Sequence, residues 1–274
     1  MDSRSSEDRR SCRQFASHAW TPAPNRGRLT ANSMQTVFTN NRYRIRGLAV
    51  AAVVCGAWAL GLATLLATQP TGLAAVIGVL VQTFLFTGLF ITAHDAMHGT
   101  VAPAHPRLNH AIGAAAVTLY AGFSYKHLRA AHMEHHRAPA VPGEDPDFHD
   151  GRRRHPVAWF LGFMLRYFTL RQFIVQNIAF NVIVHVFGVP WPSALLFWAL
   201  PAVLSSIQLF YFGTYLTHRE PEGGHTTPHN AVSNDLPVWL SFLTCYHFGY
   251  HHEHHAVPSA PWWRLPQVRR ATAA

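Results

Sequence analysis

The chain has 274 residues, of which 49% are hydrophobic and 13% are charged, whereas an ordinary soluble domain carries about 25% charged residues. This shortage of charge argues against a soluble globular domain and favours a chain that is partly dissolved in lipid. The formal net charge is +9, but the arginines flank apolar runs and do not gather with aromatics on one polar face, which argues against a nucleic-acid-binding protein. Cys12, Cys55 and Cys245 have no disulfide or metal-ligand spacing, so we expect them to serve in packing.

The N-terminal segment over residues 1–37 is rich in serine and arginine and predicts a disordered basic tail. Met34 is a second candidate for the translation start, so we assign no function to the residues before it. Because no apolar core occurs before residue 47, a cleaved signal peptide is not expected. We expect one membrane domain over residues 38–266 and a short C-terminal tail over residues 267–274.

Two uncharged runs of equal length follow the N-terminal tail. Residues 47–67 and residues 73–93 each contain 21 residues without a charge, which matches the roughly 20 residues that a helix needs to cross about 30 Å of hydrocarbon. Only the short break "TQPTG" separates them. The pattern predicts a hairpin of two transmembrane helices.

A second pair of apolar runs covers residues 173–189 and residues 193–217, with the break "GVPWP" between them. Two weaker stretches, residues 108–125 and 157–168, are shorter or interrupted, and we interpret them as interfacial helices. The fold class expected from these patterns is an all-α integral membrane protein. It has four transmembrane helices in two hairpins, plus the interfacial helices.

The basic residues predict the orientation of these helices. Both short breaks lack lysine and arginine, whereas basic residues crowd the segment before the first run and the central loop, which places both termini in the cytoplasm of a cell with the chain in its inner membrane. The basic residues that carry this argument are Arg42, Arg44, Arg46, Lys126, Arg129, Arg152, Arg153 and Arg154.

Histidines cluster in three short motifs, "HDAMHG", "HMEHH" and "HHEHH", and the topology places all of them on the cytoplasmic side. Within each motif the spacing is three or four residues, so that the imidazoles share one face of a helix. Such clusters predict a metal site, and their number suits two ions better than one closed tetrahedral site. The spacing leaves Zn, Cu, Fe and Ni open. The nine histidines on that side are His94, His98, His132, His135, His136, His218, His251, His254 and His255.

Acidic residues stand next to three of these histidines. Asp95, Glu134 and Glu253 could accept the second N–H of a metal-bound imidazole and fix its tautomer. His247 lies four residues before His251 and is a candidate ligand or a partner of a ligand. His185 falls inside the third apolar run, apart from the clusters. His252 is expected to point away from the face of His251. The remaining histidines are expected to have no role at the site, and they are His18, His105, His110, His127, His149, His155, His225 and His229.

Longer strings around the motifs resemble a known family. The strings "FITAHDAMHGTV", "HMEHHRAP", "DPDFH", "FGTYLTHR", "LTCYHFGYHHEHH" and "PWWRLP" are similar to those of the β-carotene ketolases, within the superfamily of membrane fatty acid desaturases and histidine-box diiron oxygenases. The resemblance covers residues 38–266 and makes this the ketolase domain. His218 matches the lone helix-end ligand of the desaturases, although Thr217 replaces the proline expected before it.

This resemblance implies a cofactor and a reaction. Two Fe²⁺ ions would be held by the nine histidines, O2 would be the co-substrate, and β-carotene would be oxidised at C4 to echinenone and then canthaxanthin. The substrate would enter from the bilayer. Because no flavin, haem or NAD motif is present in the sequence, electrons would come from a soluble donor such as ferredoxin.

Three alternatives stay open from the sequence. A carotenoid ring hydroxylase or an acyl-lipid desaturase would use nearly the same ligands and would differ only in its product. A membrane metal transporter without enzymatic activity would need ionisable residues along its spans, and His185 is the only one that these runs offer.

Overall fold

The computed structural model describes residues 44–151, 153–225, 227 and 229–273. Within these residues the chain is mostly helical and contains no strand. The predicted tail over residues 1–37 lies outside the described part. The helices are α1 (Arg44–Thr68), α2 (Gly72–Met97), α3 (Pro106–Ala121), α4 (Tyr125–Arg137), α5 (Pro156–Tyr167), α6 (Leu170–Asn181, extended by a π turn at Val182–Val186), α7 (Trp191–His218), α8 (Val238–Cys245), α9 (His251–Ala256) and α10 (Leu265–Ala273).

Three helices of the described part are long and apolar enough to cross a membrane, and they correspond to the first, second and fourth predicted spans. They are Arg46–Thr68, Gly72–Met97 and Trp191–His218. α2 continues past the predicted end at residue 93 and therefore carries His94 on its last turn. α7 stays continuous through Pro201, and a π segment at Leu195–Ala199 lies directly before this proline, where its missing N–H interrupts the α-helical hydrogen bonds.

The third predicted span coincides with α6, which is not among the three long apolar helices. A capping box starts α6, because Thr169 Oγ1 accepts from the Gln172 backbone N–H while Gln172 Oε1 accepts from Thr169 N. α6 is mostly exposed and presents large apolar side chains outward. These are Phe173, Ile174, Ile178, Val182 and Val186.

α2 lies at the centre of the molecule and packs against α1, α3 and α7. Phe86 and Leu89 are fully buried in the main apolar cluster, together with Trp58 from α1 and Tyr246 beyond α8. Gly88 permits this packing, because a Cβ at this position would lie 2.6 Å from Tyr246 Oη.

A polar network joins the same helices inside the apolar core. Thr87 Oγ1 lies 2.9 Å from Ser205 Oγ and donates to Gln208 Oε1, while Gln208 Nε2 donates to the Thr244 carbonyl. Buried polar groups away from water need such partners. The network therefore ties α2 to α7 and α8 just below the histidine motifs.

The C-terminal segment is helical and packed. Leu265 and Val268 of α10 are buried with Tyr250, and Arg269 donates to the carboxylates of Glu253 and Asp235. The predicted boundary between the membrane domain and a tail over residues 267–274 therefore falls inside α10, because the amphipathic pattern of this helix buries its apolar side against the last histidine motif.

Candidate metal centre

The nine histidines that the sequence singled out converge in two neighbouring groups. They reach the site from the end of α2, from α4, from the end of α7 and from α9. Within each group, one ligating nitrogen from each histidine lies within 4.8 Å of all the others. The five-histidine group consists of His94, His98, His132, His136 and His254, and the four-histidine group consists of His135, His218, His251 and His255.

Two of the helices serve both groups at once. On α4, His132 and His136 enter the five-histidine group while His135 enters the other; on α9, the adjacent residues His254 and His255 are divided in the same way. The rings of His136 and His255 have centroids only 4.3 Å apart. The two groups are therefore side by side.

The nitrogen contacts of the five-histidine group cannot all be hydrogen bonds. Four Nε2–Nε2 contacts at 2.7–3.2 Å join its five rings in one chain, from His98 through His132, His136 and His254 to His94. Because each Nε2 of a neutral imidazole has either one hydrogen or one lone pair, five such atoms form at most two hydrogen bonds. A cation that accepts all the lone pairs removes this conflict.

The four-histidine group shows the same pattern. His255 Nε2 lies 3.1 Å from His135 Nε2 and 3.2 Å from His251 Nε2. His218 Nε2 is buried and has no hydrogen-bond partner within the described residues, which is costly unless a ligand completes it. Both groups thus have the donor set and the geometry of a metal site, and imidazole suits iron, zinc, copper and nickel.

Two histidines of the four-histidine group are oriented through their second nitrogen. His135 Nδ1 lies 2.9 Å from Asp145 Oδ2, and His218 Nδ1 lies 3.0 Å from the Asn230 carbonyl oxygen. Asp145 is held in turn by the backbone N–H groups of Ala140 and Asp147. Neither Asp145 nor Asn230 is among the site residues predicted from the sequence. Asp145 could have been found from the sequence, because it is the first residue of the family string "DPDFH". The role of Asn230 could not, because any residue has a backbone carbonyl.

The three acidic residues predicted for this role have other positions. Asp95 Oδ1 is 3.6 Å from His94 Nδ1, beyond hydrogen-bond distance, and Asp95 Oδ2 accepts from the Trp262 N–H. Glu134 is exposed, because it projects from the opposite side of α4. Glu253 is buried but accepts from Ser233 and Arg269. Of the three predicted carboxylates, Asp95 is therefore the one whose oxygen lies within 4 Å of an imidazole nitrogen of the two groups.

The other histidines lie outside both groups. His247 is buried, and its ring stacks on Tyr250. Its backbone has a left-handed conformation, with φ at 61°. His185 is exposed on α6, and His229 stacks on the outer side of His255 with a centroid distance of 6.1 Å. His149, expected to be an ordinary loop residue, is buried between Phe148 and Trp159.

Burial sets the protonation of the histidines that lie outside the long helices. It lowers the pKa of His132, His251, His254 and His255 well below 6.5, with help from the neighbouring imidazoles, and it lowers the pKa of His98 to about 4. Burial acts in the same direction on His135, but the hydrogen bond and charge of Asp145 outweigh it and leave that pKa raised. Most of these imidazoles are therefore neutral near pH 7, as metal coordination requires.

An apolar cavity of about 310 Å³ adjoins the five-histidine group. His94 and His132 form one end of its wall, with Phe90 and Phe248 beside them. The wall continues between α3, α5, α6 and α7. A cavity of this volume and polarity fits part of an apolar molecule.

Comparison with known proteins identifies the family. The family model described as fatty acid desaturase matches residues 70–180 and 166–274. A β-carotene ketolase of Paracoccus sp. (strain PC1) is 49% identical over 189 residues, covering 69% of this chain and 76% of that protein. This chain belongs to the β-carotene ketolases within the fatty acid desaturase family. A β-carotene ketolase of Paracoccus sp. (strain N81106 / MBIC 01143) is 46% identical over 71% of this chain and 79% of that protein.

An algal relative widens the comparison. The zeaxanthin 4-ketolase of Chlamydomonas reinhardtii is 47% identical over 190 residues, covering 68% of this chain but 42% of that longer protein. The matched region of the family model includes all nine histidines of the two groups. The two histidine groups therefore lie within the part of the chain that the family model matches.

Asp145 provides a test of how the centre is oriented. Replacing Asp145→Asn removes the charge that holds His135, and we expect metal affinity to fall by about 10- to 100-fold, the usual loss when such a partner is removed. The measurement is metal content of the purified protein after dialysis against graded chelator concentrations. Glu134→Gln is the matched control and should retain its metal, and equal retention by both variants would contradict the assignment.

Proposed function

We propose that the chain is an O2-dependent carotenoid 4-ketolase that converts β-carotene to echinenone and then canthaxanthin. The observation that carries this proposal is the convergence of nine histidines at the end of an apolar cavity, in a chain that belongs to the β-carotene ketolases. The enzyme would act in the synthesis of ketocarotenoids.

Each histidine group would hold one iron ion. Iron with O2 supplies an oxidant strong enough for an allylic C–H bond, which no side chain can provide. The protein's part is to present neutral imidazoles and to hold them in place. Asp145 fixes the ring of His135 and the Asn230 carbonyl fixes that of His218, so that both Nε2 atoms point into the four-histidine group.

The cavity would place the substrate. Phe90, Leu209, Phe210 and Phe248 offer an apolar surface for a β-ionone ring beside His94, and this surface excludes water from the reacting carbon. Since β-carotene dissolves in the bilayer, it would enter between the apolar helices. Successive hydroxylation at C4 gives a geminal diol, and loss of water from the diol leaves the ketone.

The topology belongs to the same proposal. α6 would be the third of four membrane spans and would form a hairpin with α7, since its outward face is apolar. Both termini and the metal centre would then face the cytoplasm, with the chain in the inner membrane, as the distribution of arginine and lysine indicates. A soluble donor such as ferredoxin would deliver electrons from that side.

The alternative functions differ in what they require. A ring hydroxylase or an acyl-lipid desaturase would use the same histidines, and only the product distinguishes them from a ketolase. A metal transporter requires ionisable groups along a path through the spans. His185 is exposed on α6 and apart from both groups, which gives such a path no support.

The metal proposal predicts about two iron ions per chain in protein prepared without oxygen. His218→Ala should lose iron and activity while the protein still inserts into the membrane, because it removes a nitrogen of the four-histidine group. His229→Ala should keep both ions, since its ring lies outside the groups. A single zinc ion with full activity, or equal mild effects of the two changes, would contradict this assignment.

The reaction is tested by expressing the chain in a bacterium that accumulates β-carotene. We expect echinenone and canthaxanthin, identified by chromatography and mass spectrometry, because a ketone replaces two hydrogens with one oxygen. Hydroxylated carotenoids as the sole product would establish a ring hydroxylase instead. Unchanged β-carotene with newly unsaturated acyl chains would establish a lipid desaturase.

The topology predicts opposite locations for two reporter fusions. A reporter fused after Gly72 should be active outside the cytoplasm, and one fused after Ala274 should be active inside it. Each position is fused in turn to a phosphatase that is active only outside the cytoplasm and to a fluorescent protein that is fluorescent only inside it. If both fusions reported the same compartment, the model with four spans would be wrong.

A further inference from the structure

The wall of the apolar cavity contains one carboxylate. Asp147 lies in the loop between α4 and α5, and among the described residues that line the cavity it is the only acidic one. Its side chain is 19% exposed, and the rest of the wall is mostly apolar. A carboxylate in such surroundings is costly unless its oxygens have partners, so the partners of each oxygen bear on what Asp147 does.

Three hydrogen bonds fix the position of Asp147. Its backbone N–H donates to Asp145 Oδ1 at 2.8 Å, and its carbonyl oxygen accepts from Trp159 Nε1 at 2.9 Å. Its side-chain Oδ1 accepts from the hydroxyl of Tyr167, a residue of α5 that lines the same cavity. The loop and α5 therefore hold the carboxylate in one orientation before any molecule enters the cavity.

The other carboxylate oxygen, Asp147 Oδ2, makes no hydrogen bond within the described residues. It lies 4.0 Å from His135 Nδ1, whereas Asp145 Oδ2 lies 2.9 Å from the same nitrogen and already orients that ring. Asp147 is therefore not needed to hold His135. Because the residue lines the cavity, its Oδ2 is an acceptor beside the four-histidine group for a donor on a molecule inside the cavity.

The proposed reaction creates such a donor at its midpoint. β-Carotene has no polar atom, but the first oxidation places a hydroxyl at C4, and release of the ring at this stage would give a hydroxylated product. The second oxidation consumes O2 with two electrons from the soluble donor and two protons, and it yields the geminal diol and water. A hydrogen bond that forms only after the first oxidation would keep the ring bound for the second.

We propose that Asp147 Oδ2 accepts a hydrogen bond from the new C4 hydroxyl and retains the once-oxidised ring until it is oxidised again. The proposal rests on the proposed function, because it assumes that the cavity holds the carotenoid ring. It assigns the choice between a hydroxylated and a keto product to the loop between α4 and α5. The histidines cannot make this choice, since a ring hydroxylase would use nearly the same ligands.

The test measures the ratio of 4-hydroxylated to 4-keto carotenoid formed in a bacterium that accumulates β-carotene. Asp147→Leu is combined with Tyr167→Phe, so that no tyrosine hydroxyl is left buried without its acceptor. The double variant is compared with Tyr167→Phe alone, from which it differs only at position 147. We expect the ratio to be about tenfold higher in the double variant, since a hydrogen bond to a charged acceptor contributes at least that factor to binding.

Asp150→Asn is the matched control. Asp150 belongs to the same loop, is exposed and pairs with Arg153 outside the cavity, so its replacement should keep the wild-type ratio. The iron content of each purified variant should stay near that of wild-type protein.

Three results would overturn the role of Asp147. An equal ratio in the double variant and in Tyr167→Phe would show that the carboxylate does not retain the ring. Loss of iron from the double variant would assign Asp147 to the metal centre. Loss of both products with iron retained would show that the first oxidation already needs it.

Wild-type protein separates this proposal from the ketolase function. If wild-type protein forms no 4-keto product, the ketolase function is wrong and the role of Asp147 fails with it. If wild-type protein forms keto products and the double variant matches Tyr167→Phe, the role of Asp147 alone is wrong and the ketolase function stands.

Discussion

The constraint on which the structure depends is the mutual approach of nine imidazoles, most of them buried, at the ends of apolar helices. Neutral nitrogens at 2.7–3.2 Å cannot all satisfy one another, and a cation in each group would relieve this conflict. The fold supports this arrangement from several sides. The long apolar helices α2 and α7 carry two parts of it, and the polar network of Thr87 and Gln208 fixes those helices relative to each other below the site.

Much of the site is encoded locally and could be predicted from the sequence. Spacings of three and four residues place imidazoles on one helix face, and the long apolar helices α2 and α7 end at the same site. The two groups of five and four histidines contain all nine predicted residues. The longer strings around the histidines resemble the β-carotene ketolases, and three relatives with that description are 45–49% identical to this chain.

The orienting groups could not be predicted, because they depend on tertiary structure. Glu134 is adjacent in sequence to His135, yet successive residues of a helix point about 100° apart, so His135 is held by Asp145 from the following loop. Glu253 likewise does not orient the histidine next to it, because its carboxylate accepts from Arg269 of α10. α6 shows the same limit at the level of the fold. Its apolar run has the length of a membrane span, but the four amide side chains of α6, Gln172, Gln176, Asn177 and Asn181, weaken the apolar pattern.

The division of α9 between the two groups has a consequence for how the centre is assembled. His254 and His255 are consecutive, and the backbone that joins them is part of a helix of six residues packed under α10. Such a short rigid element cannot rotate toward one group without withdrawing a nitrogen from the other. The separation of the two groups is thus set by a single peptide unit, so a displacement of α9 would change the geometry of both groups together.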